Sequence, residues 1–132
     1  MSPHAKYSRR EVSKLGPIAN STANKSIFDK KVKALWVKRL RSKKDKQGKF
    51  FLKDGDGRMC CMGVLAEICR VPSERVKPDK YYLYDFEGLG MSAYPPAGFK
   101  GLTKKQIGIL MQLNDRDQWT FPQIADWIEE NL

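Results

Sequence analysis

The strongest constraint in this sequence is a stripe. Phe28, Val32, Leu35, Trp36 and Leu40 recur at helical spacing, and Lys30, Lys31, Lys33, Lys38, Arg39 and Arg41 fill the other side of the same turns. Apolar residues three and four positions apart share one helix face, so the segment predicts an amphipathic helix over 27–41. Such a helix must bury its stripe against another layer and leave a row of cations in water. Ser26 followed by Asp29 resembles a capping box at its start.

The rest of the chain supplies that layer. Cys61, Val64, Leu65 and Ile68 predict a helix over 60–70, closed by Val71-Pro72 because proline disfavours helix in the residue before it. Thr103 with Gln106 opens a third helix carrying Ile107, Leu110 and Met111, which breaks at Asn114-Asp115; Thr120 with Gln123 opens a fourth carrying Ile124, Ala125 and Ile128. Phe50-Phe51-Leu52 and the apolar run from Met59 flank Asp54-Gly55-Asp56-Gly57 and predict a β-hairpin. The interval 72–101 is expected to be irregular, with one strand at Tyr81–Phe86 and a long surface loop from Gly88 to Gly101. The expected fold is therefore α+β: a small, mainly helical single domain over 27–132, of about four helices with a short β-hairpin. Residues 1–26 hold no sustained apolar period and are expected to form a flexible basic arm. A chain of 132 residues buries roughly two-thirds of its unfolded surface, enough for one core.

Charge is unevenly spread. Residues 1–58 hold 17 Lys and Arg against 5 Asp and Glu, a balance of +12, whereas 59–132 hold 8 against 10, a balance of −2. A basic half suits phosphates or an acidic partner, because each cation that neutralises a phosphate releases a condensed counterion. The plainer explanation is that lysines line a solvated face and keep a small domain soluble. No apolar run approaches the roughly 20 residues of a membrane span, and the first residues are polar and basic, so a cytoplasmic location is expected and no membrane partner. The three cysteines, Cys60, Cys61 and Cys69, are odd in number with two adjacent, which predicts reduced thiols instead of a disulfide framework.

Several blocks together resemble a widespread family of small, functionally uncharacterised bacteriophage and prophage proteins. They are Trp36-Val37 with Leu40-Arg41-Ser42, Gln47-Gly48, Cys60-Cys61-Met62-Gly63-Val64-Leu65, and Leu113-Asn114-Asp115 with Phe121, Ile124-Ala125-Asp126 and Ile128-Glu129. The Cys-Cys-x-Gly-Val-Leu block is the most specific. The resemblance implies a phage-type accessory protein in the cytoplasm of an infected bacterial host, and it implies no activity. The arm and the 81–101 loop depart from the family pattern.

Catalytic and metal chemistry find little to work with. Cys60 and Cys61 stand at a predicted helix N-terminus, where a thiol is acidified, but the single histidine, His4, lies in the expected arm and buried packing is the commoner role. Asp115 and Asp117 suit acid-base work less well than helix termination. The Asp54 turn lacks the glycine that the sixth position of a calcium loop needs, since Met59 stands there. No catalytic set, cofactor or metal is expected. The leading expectation is a non-enzymatic binding protein whose Arg9, Arg10, Lys30, Lys31, Lys38, Arg39, Arg41, Lys43, Lys44 and Lys46 meet nucleic acid, nucleotide phosphates or an acidic protein surface. A second expectation is a counter-defence or host-takeover inhibitor that contacts a host protein through Tyr82, Tyr84, Tyr94, Phe99 and Lys100; a third is a minor enzyme with a cysteine nucleophile.

Overall fold

The computed structural model describes residues 28–77 and 80–132. The arm expected over 1–26, with Arg9 and Arg10, lies outside them, as does Ser26. Helix α1 (Lys30–Ser42) is capped by Asp29, whose carboxylate accepts from the N–H groups of Lys31 and Val32 at 2.7 and 3.3 Å. Its buried face is Trp36, Val37 and Leu40, with Val32 half-buried; Leu35, expected in the stripe, is 55% exposed. The correction has a geometric cause. Two residues on, Val37 lies about 200° round the helix from Leu35, and Val37 is the one that faces the packed side.

Three more helices follow, α2 (Cys61–Ile68), α3 (Lys104–Asp115) and α4 (Phe121–Asn131). Both expected Thr/Gln caps form: the Gln106 side chain accepts from Thr103 N–H at 2.8 Å, and that of Gln123 accepts from Thr120 N–H at 3.0 Å. α1 packs on α4 and α2, and α3 packs on α2 and α4. Between α2 and α3 runs a three-stranded antiparallel sheet in the order β1 (Ser73–Lys77), β2 (Tyr81–Asp85), β3 (Met91–Ser92), with Ser73 opposite Tyr84 and a bulge between Arg75 and Lys77. The protein is thus a small α+β domain, as its sequence pattern suggests.

The hairpin lies elsewhere than expected. The Asp54 turn does reverse the chain, with Asp54 N–H donating to Arg58 O at 2.8 Å and Gly57 N–H to Asp54 O at 3.0 Å, but its arms meet only in isolated bridges such as Lys53 with Met59. Met59 spends its backbone on Lys46 and Gly48 instead, at 2.9 and 2.7 Å, so no ladder can extend. The paired strands are β1 and β2. β1 escapes a pattern search because it is an edge strand whose five residues, Ser-Glu-Arg-Val-Lys, are all exposed and show no alternation.

α2 sits at the centre, with Cys61 through Ala66 buried. Its approach to the 50s loop is set by Gly63: a Cβ there would lie 1.8 Å from the Leu52 carbonyl oxygen. Trp36 ties α1 to the same helix, its indole N–H donating to Cys61 O at 3.0 Å. The decisive polar group is Asn114, fully buried at the end of α3. Its side-chain oxygen accepts from Cys61 N–H at 3.2 Å and from Gln47 Nε2 at 2.9 Å, while its Nδ2 donates to Gly48 O and to Asp115 Oδ1, both at 2.9 Å. Gln47 completes the link by donating to Trp119 O at 2.8 Å and accepting from Phe121 N–H at 3.1 Å. The Asn-Asp pair does satisfy free backbone groups, though they belong to distant segments.

Two substitutions probe this core. Gly63→Ala forces a backbone shift and is expected to cost at least about 3 kcal/mol; an unchanged urea midpoint would contradict the packing. Asn114→Ala strands a buried N–H and a buried carbonyl and is expected to cost about 3 kcal/mol, read from the same denaturation curves.

Candidate nucleic-acid interface

The expected basic residues divide into two populations. Lys30, Lys31, Lys38, Lys43, Lys44 and Lys46 are exposed. Arg39 and Arg41 are not free. Arg39 forms a two-point bond with Asp45, Nε and Nη2 each 2.9 Å from a carboxylate oxygen, which together with the nearby negative charge holds its pKa up. Arg41 reaches across to α4, 2.8 Å from Asp126 and 3.1 Å from Glu129, and these two carboxylates raise its pKa likewise. Arg58, further along, is bound by Asp54 and Asp56 at 3.0 Å each. Every arginine between residues 28 and 58 is therefore held by carboxylates of the chain itself. The six exposed lysines have no carboxylate within 4.0 Å among the described residues.

Geometry brings part of this set together. Lys30, Lys38 and Arg41 share one face of α1 with Lys33, and they border a groove of about 820 Å3 between α1 and the C-terminal end of α4. Its floor includes Phe28, Ala34, Val37 and Leu132. Lys33 closes one side, its ammonium donating to Glu129 O at 3.2 Å, where the negative end of the α4 dipole favours a cation. Lys31, Lys43, Lys44 and Lys46 lie outside the groove. Lys30 and Lys31 occupy the first turn of α1, the positive end of its dipole, which costs the helix a few tenths of a kcal/mol. Helix stability thus does not explain them, whereas Lys43 and Lys44 follow a C-terminus that welcomes positive charge.

In the 81–101 segment, Tyr84 and Phe99 are core residues. The Tyr84 hydroxyl donates to Glu67 at 2.8 Å, and burial with this bond pushes its pKa up. Phe99 packs edge-on against Phe86 at 4.9 Å. Tyr82 is half-buried beneath Lys53, whose ammonium lies 4.7 Å from the ring, while Tyr94 and Lys100 are exposed. Leu89 and Met91, not singled out from the sequence, are exposed beside Tyr94.

The thiols are poorly placed for chemistry. Cys60 and Cys61 are buried; burial pushes Cys60 up to about 12 and Cys61 well above its usual value. Cys61 Sγ lies 3.6 Å from the Leu110 carbonyl. Asp115 is engaged by Phe50 N–H at 3.0 Å and by Asn114. In the Asp54 turn the carboxylates bind Arg58 and the chain's own amides, Asp56 N–H and Arg58 N–H, at 2.9 and 3.0 Å. Among the described residues no cluster of three or more His, Cys, Asp or Glu has metal-binding placement, and no helix is long and apolar enough to cross a membrane.

Residues 28–89 match the family model of a domain of unknown function, DUF8296. The matched span runs from the start of α1 through β2, a little under half of the chain, and stops short of α3 and α4. No curated protein and no solved structure matches the chain.

The thiol environment makes a direct prediction. A raised folded-state pKa leaves the neutral thiol favoured, so this contribution to stability is complete below pH 9 and falls away as pH climbs from 9 toward 12. In native protein at pH 8 a disulfide reagent is expected to label Cys69 alone, which is half-buried, and all three cysteines only in denaturant. Rapid native labelling of Cys60 or Cys61 would overturn this picture of the core.

Proposed function

We propose that the chain is a phage-type accessory protein, acting in the cytoplasm of an infected bacterium, that holds nucleic acid through its lysine face without reading base sequence. The observation that carries this reading is the division of labour among the cations. An arginine fork recognises phosphate or guanine in a fixed two-point geometry, whereas a lysine is a mobile point charge. Between residues 28 and 58 the forks are engaged by Asp45, Asp126, Glu129 and the Asp54 turn, and Lys30, Lys31, Lys38, Lys43, Lys44 and Lys46 face solvent. A surface of that kind favours contacts to phosphates, which position a strand and carry no sequence information. Lys30 and Lys31, set where the helix dipole opposes them, support the same reading.

The test separates the two cation populations. Lys38→Gln/Lys43→Gln/Lys44→Gln/Lys46→Gln is expected to bind duplex DNA more weakly, with stability lowered only by the few tenths of a kcal/mol that Lys43 and Lys44 give the C-terminus of α1. Each lysine that meets a phosphate lowers the slope of log K against log salt by about 0.9 when removed. Arg41→Gln is expected to behave in the opposite way, losing up to about 1 kcal/mol of stability with little change in affinity. Wild-type affinity and salt slope in the quadruple variant would defeat the proposal.

One observation favours a second reading, a host-protein inhibitor. Leu89, Met91 and Tyr94 expose 72%, 40% and 57% of their surface within one short segment, and clustered apolar exposure marks protein contacts. In that case a stoichiometric protein partner survives nuclease treatment and is lost with Leu89→Ser/Tyr94→Ser. The lysine substitutions would leave it bound.

A further inference from the structure

Phe50 is held in an arrangement that its own packing does not explain. Its φ is 69°, in the left-handed region that an L side chain adopts only at a cost, and it is the one aromatic residue found there among the described residues. Its ring gains little in return, being 64% exposed. The backbone is pinned in place: Phe50 N–H donates to Asp115 Oδ1 at 3.0 Å, and the same oxygen accepts from Asn114 Nδ2 at 2.9 Å. Asn114 in turn grips the Gly48 carbonyl two residues before Phe50. A fully buried amide with four hydrogen bonds thus fixes a strained turn whose outcome is a phenyl ring in water.

The neighbouring residue extends the surface. Phe51 is 36% exposed and stacks on Tyr81, centroids 5.2 Å apart and planes within 10° of parallel. Phe51 opens onto a cleft of about 270 Å3 bordered by Lys49, Lys80 and Arg58, with Asp54 and Asp56 engaged by that arginine. Phe50 opens onto a separate cleft of about 420 Å3 with Met111 and Arg116, and Asp115 forms its polar wall. Rings standing at the surface among lysines are what a strand with unpaired bases requires: phosphates meet the cations and base faces meet the rings. In a duplex those faces are hidden in the stack.

Resting on the nucleic-acid reading above, we infer that Phe50 and the Phe51–Tyr81 stack form a base-stacking platform, and that the preferred ligand is single-stranded nucleic acid. Phe50 is a binding residue placed by Asn114 and Asp115, and Lys49 and Lys80 serve the backbone of the strand.

The test measures binding of fluorescein-labelled oligothymidylate of about 16 nucleotides, and of a duplex of equal length, by anisotropy at one salt concentration. The single strand is expected to bind more tightly. Glycine is at ease at positive φ, so Phe50→Gly removes the ring without straining the turn. It is expected to weaken single-strand binding at least about fivefold, with duplex affinity unchanged and melting temperature not lowered. Phe50→Trp is expected to retain affinity and to show indole fluorescence quenched by the oligonucleotide; the native Trp36, Trp119 and Trp127 are buried and do not report. Equal affinity for both ligands, or unchanged single-strand binding in both Phe50→Gly and Phe51→Leu, overturns the platform. If the lysine substitutions still abolish binding in that case, the sequence-independent reading survives alone. If the wild-type chain binds neither ligand, both fall.

Discussion

The fold depends on one buried carboxamide. Asn114 sits where the end of α3, the start of α2 and the 46–50 turn converge, and without it the Cys61 N–H and the Gly48 carbonyl would lose their partner in the core. A buried amide that satisfies both its donor and acceptor sides is worth more through the penalties it prevents than through the bonds it makes. Gln47 carries the same network to Trp119 and to the first N–H of α4. The 47–48 turn, the start of α2 and the 114–121 stretch are thereby registered to one another around the core that holds Trp36, Val64, Leu110 and Ile124.

That registration determines what the surface offers. The turn gripped by Asn114 and Asp115 presents Phe50, and the loop that returns through Gly48 and Met59 carries Lys46, Lys49 and Lys53. On the adjacent side, Arg41 clamps α1 to Asp126 and Glu129 of α4, and Lys33 caps the same helix. Cations that a count of charge treats alike thus do different things: between residues 28 and 58 the arginines are held by carboxylates and Lys33 by a helix end, while Lys30, Lys31, Lys38, Lys43, Lys44 and Lys46 face solvent. The balance of +12 in the first 58 residues overstates the free charge at Arg41, whose partners Asp126 and Glu129 lie beyond them.

Local signals in the chain were readable in proportion to how local their physics is. Helix caps at Thr103 and Thr120 depend on residues three apart, and both form. The class of fold follows from four apolar periodicities and likewise holds. In the stripe of α1, Phe28, Trp36 and Leu40 are buried as their period predicts, but Leu35 is exposed and Val37 takes its place, because period alone does not say which side α4 approaches. Phe50-Phe51-Leu52 reads as one arm of a hairpin, yet no ladder forms there and only Leu52 is buried, its carbonyl against Gly63 of α2, while Asp115 holds the Phe50 N–H with the ring in water. The roles of Asn114, Asp45 and Asp126 rest on pairings across 6 to 85 residues for the arginines and 53 to 67 for the amide, and no spacing rule reveals those. In the candidate site the lysines were legible from composition, while the commitment of Arg39 and Arg41, and the exposure of Phe50, required the fold.

The central claim is that a loop fixed by Asn114 offers lysines and aromatic rings to a phosphate-bearing strand. Amide chemical-shift mapping during titration with a single-stranded oligonucleotide addresses it residue by residue. The account predicts that the largest shifts fall on 43–53 and on Tyr81, with Asp126, Glu129 and the α2 core unmoved. Shifts centred on 89–94, or spread evenly over the chain, would contradict it.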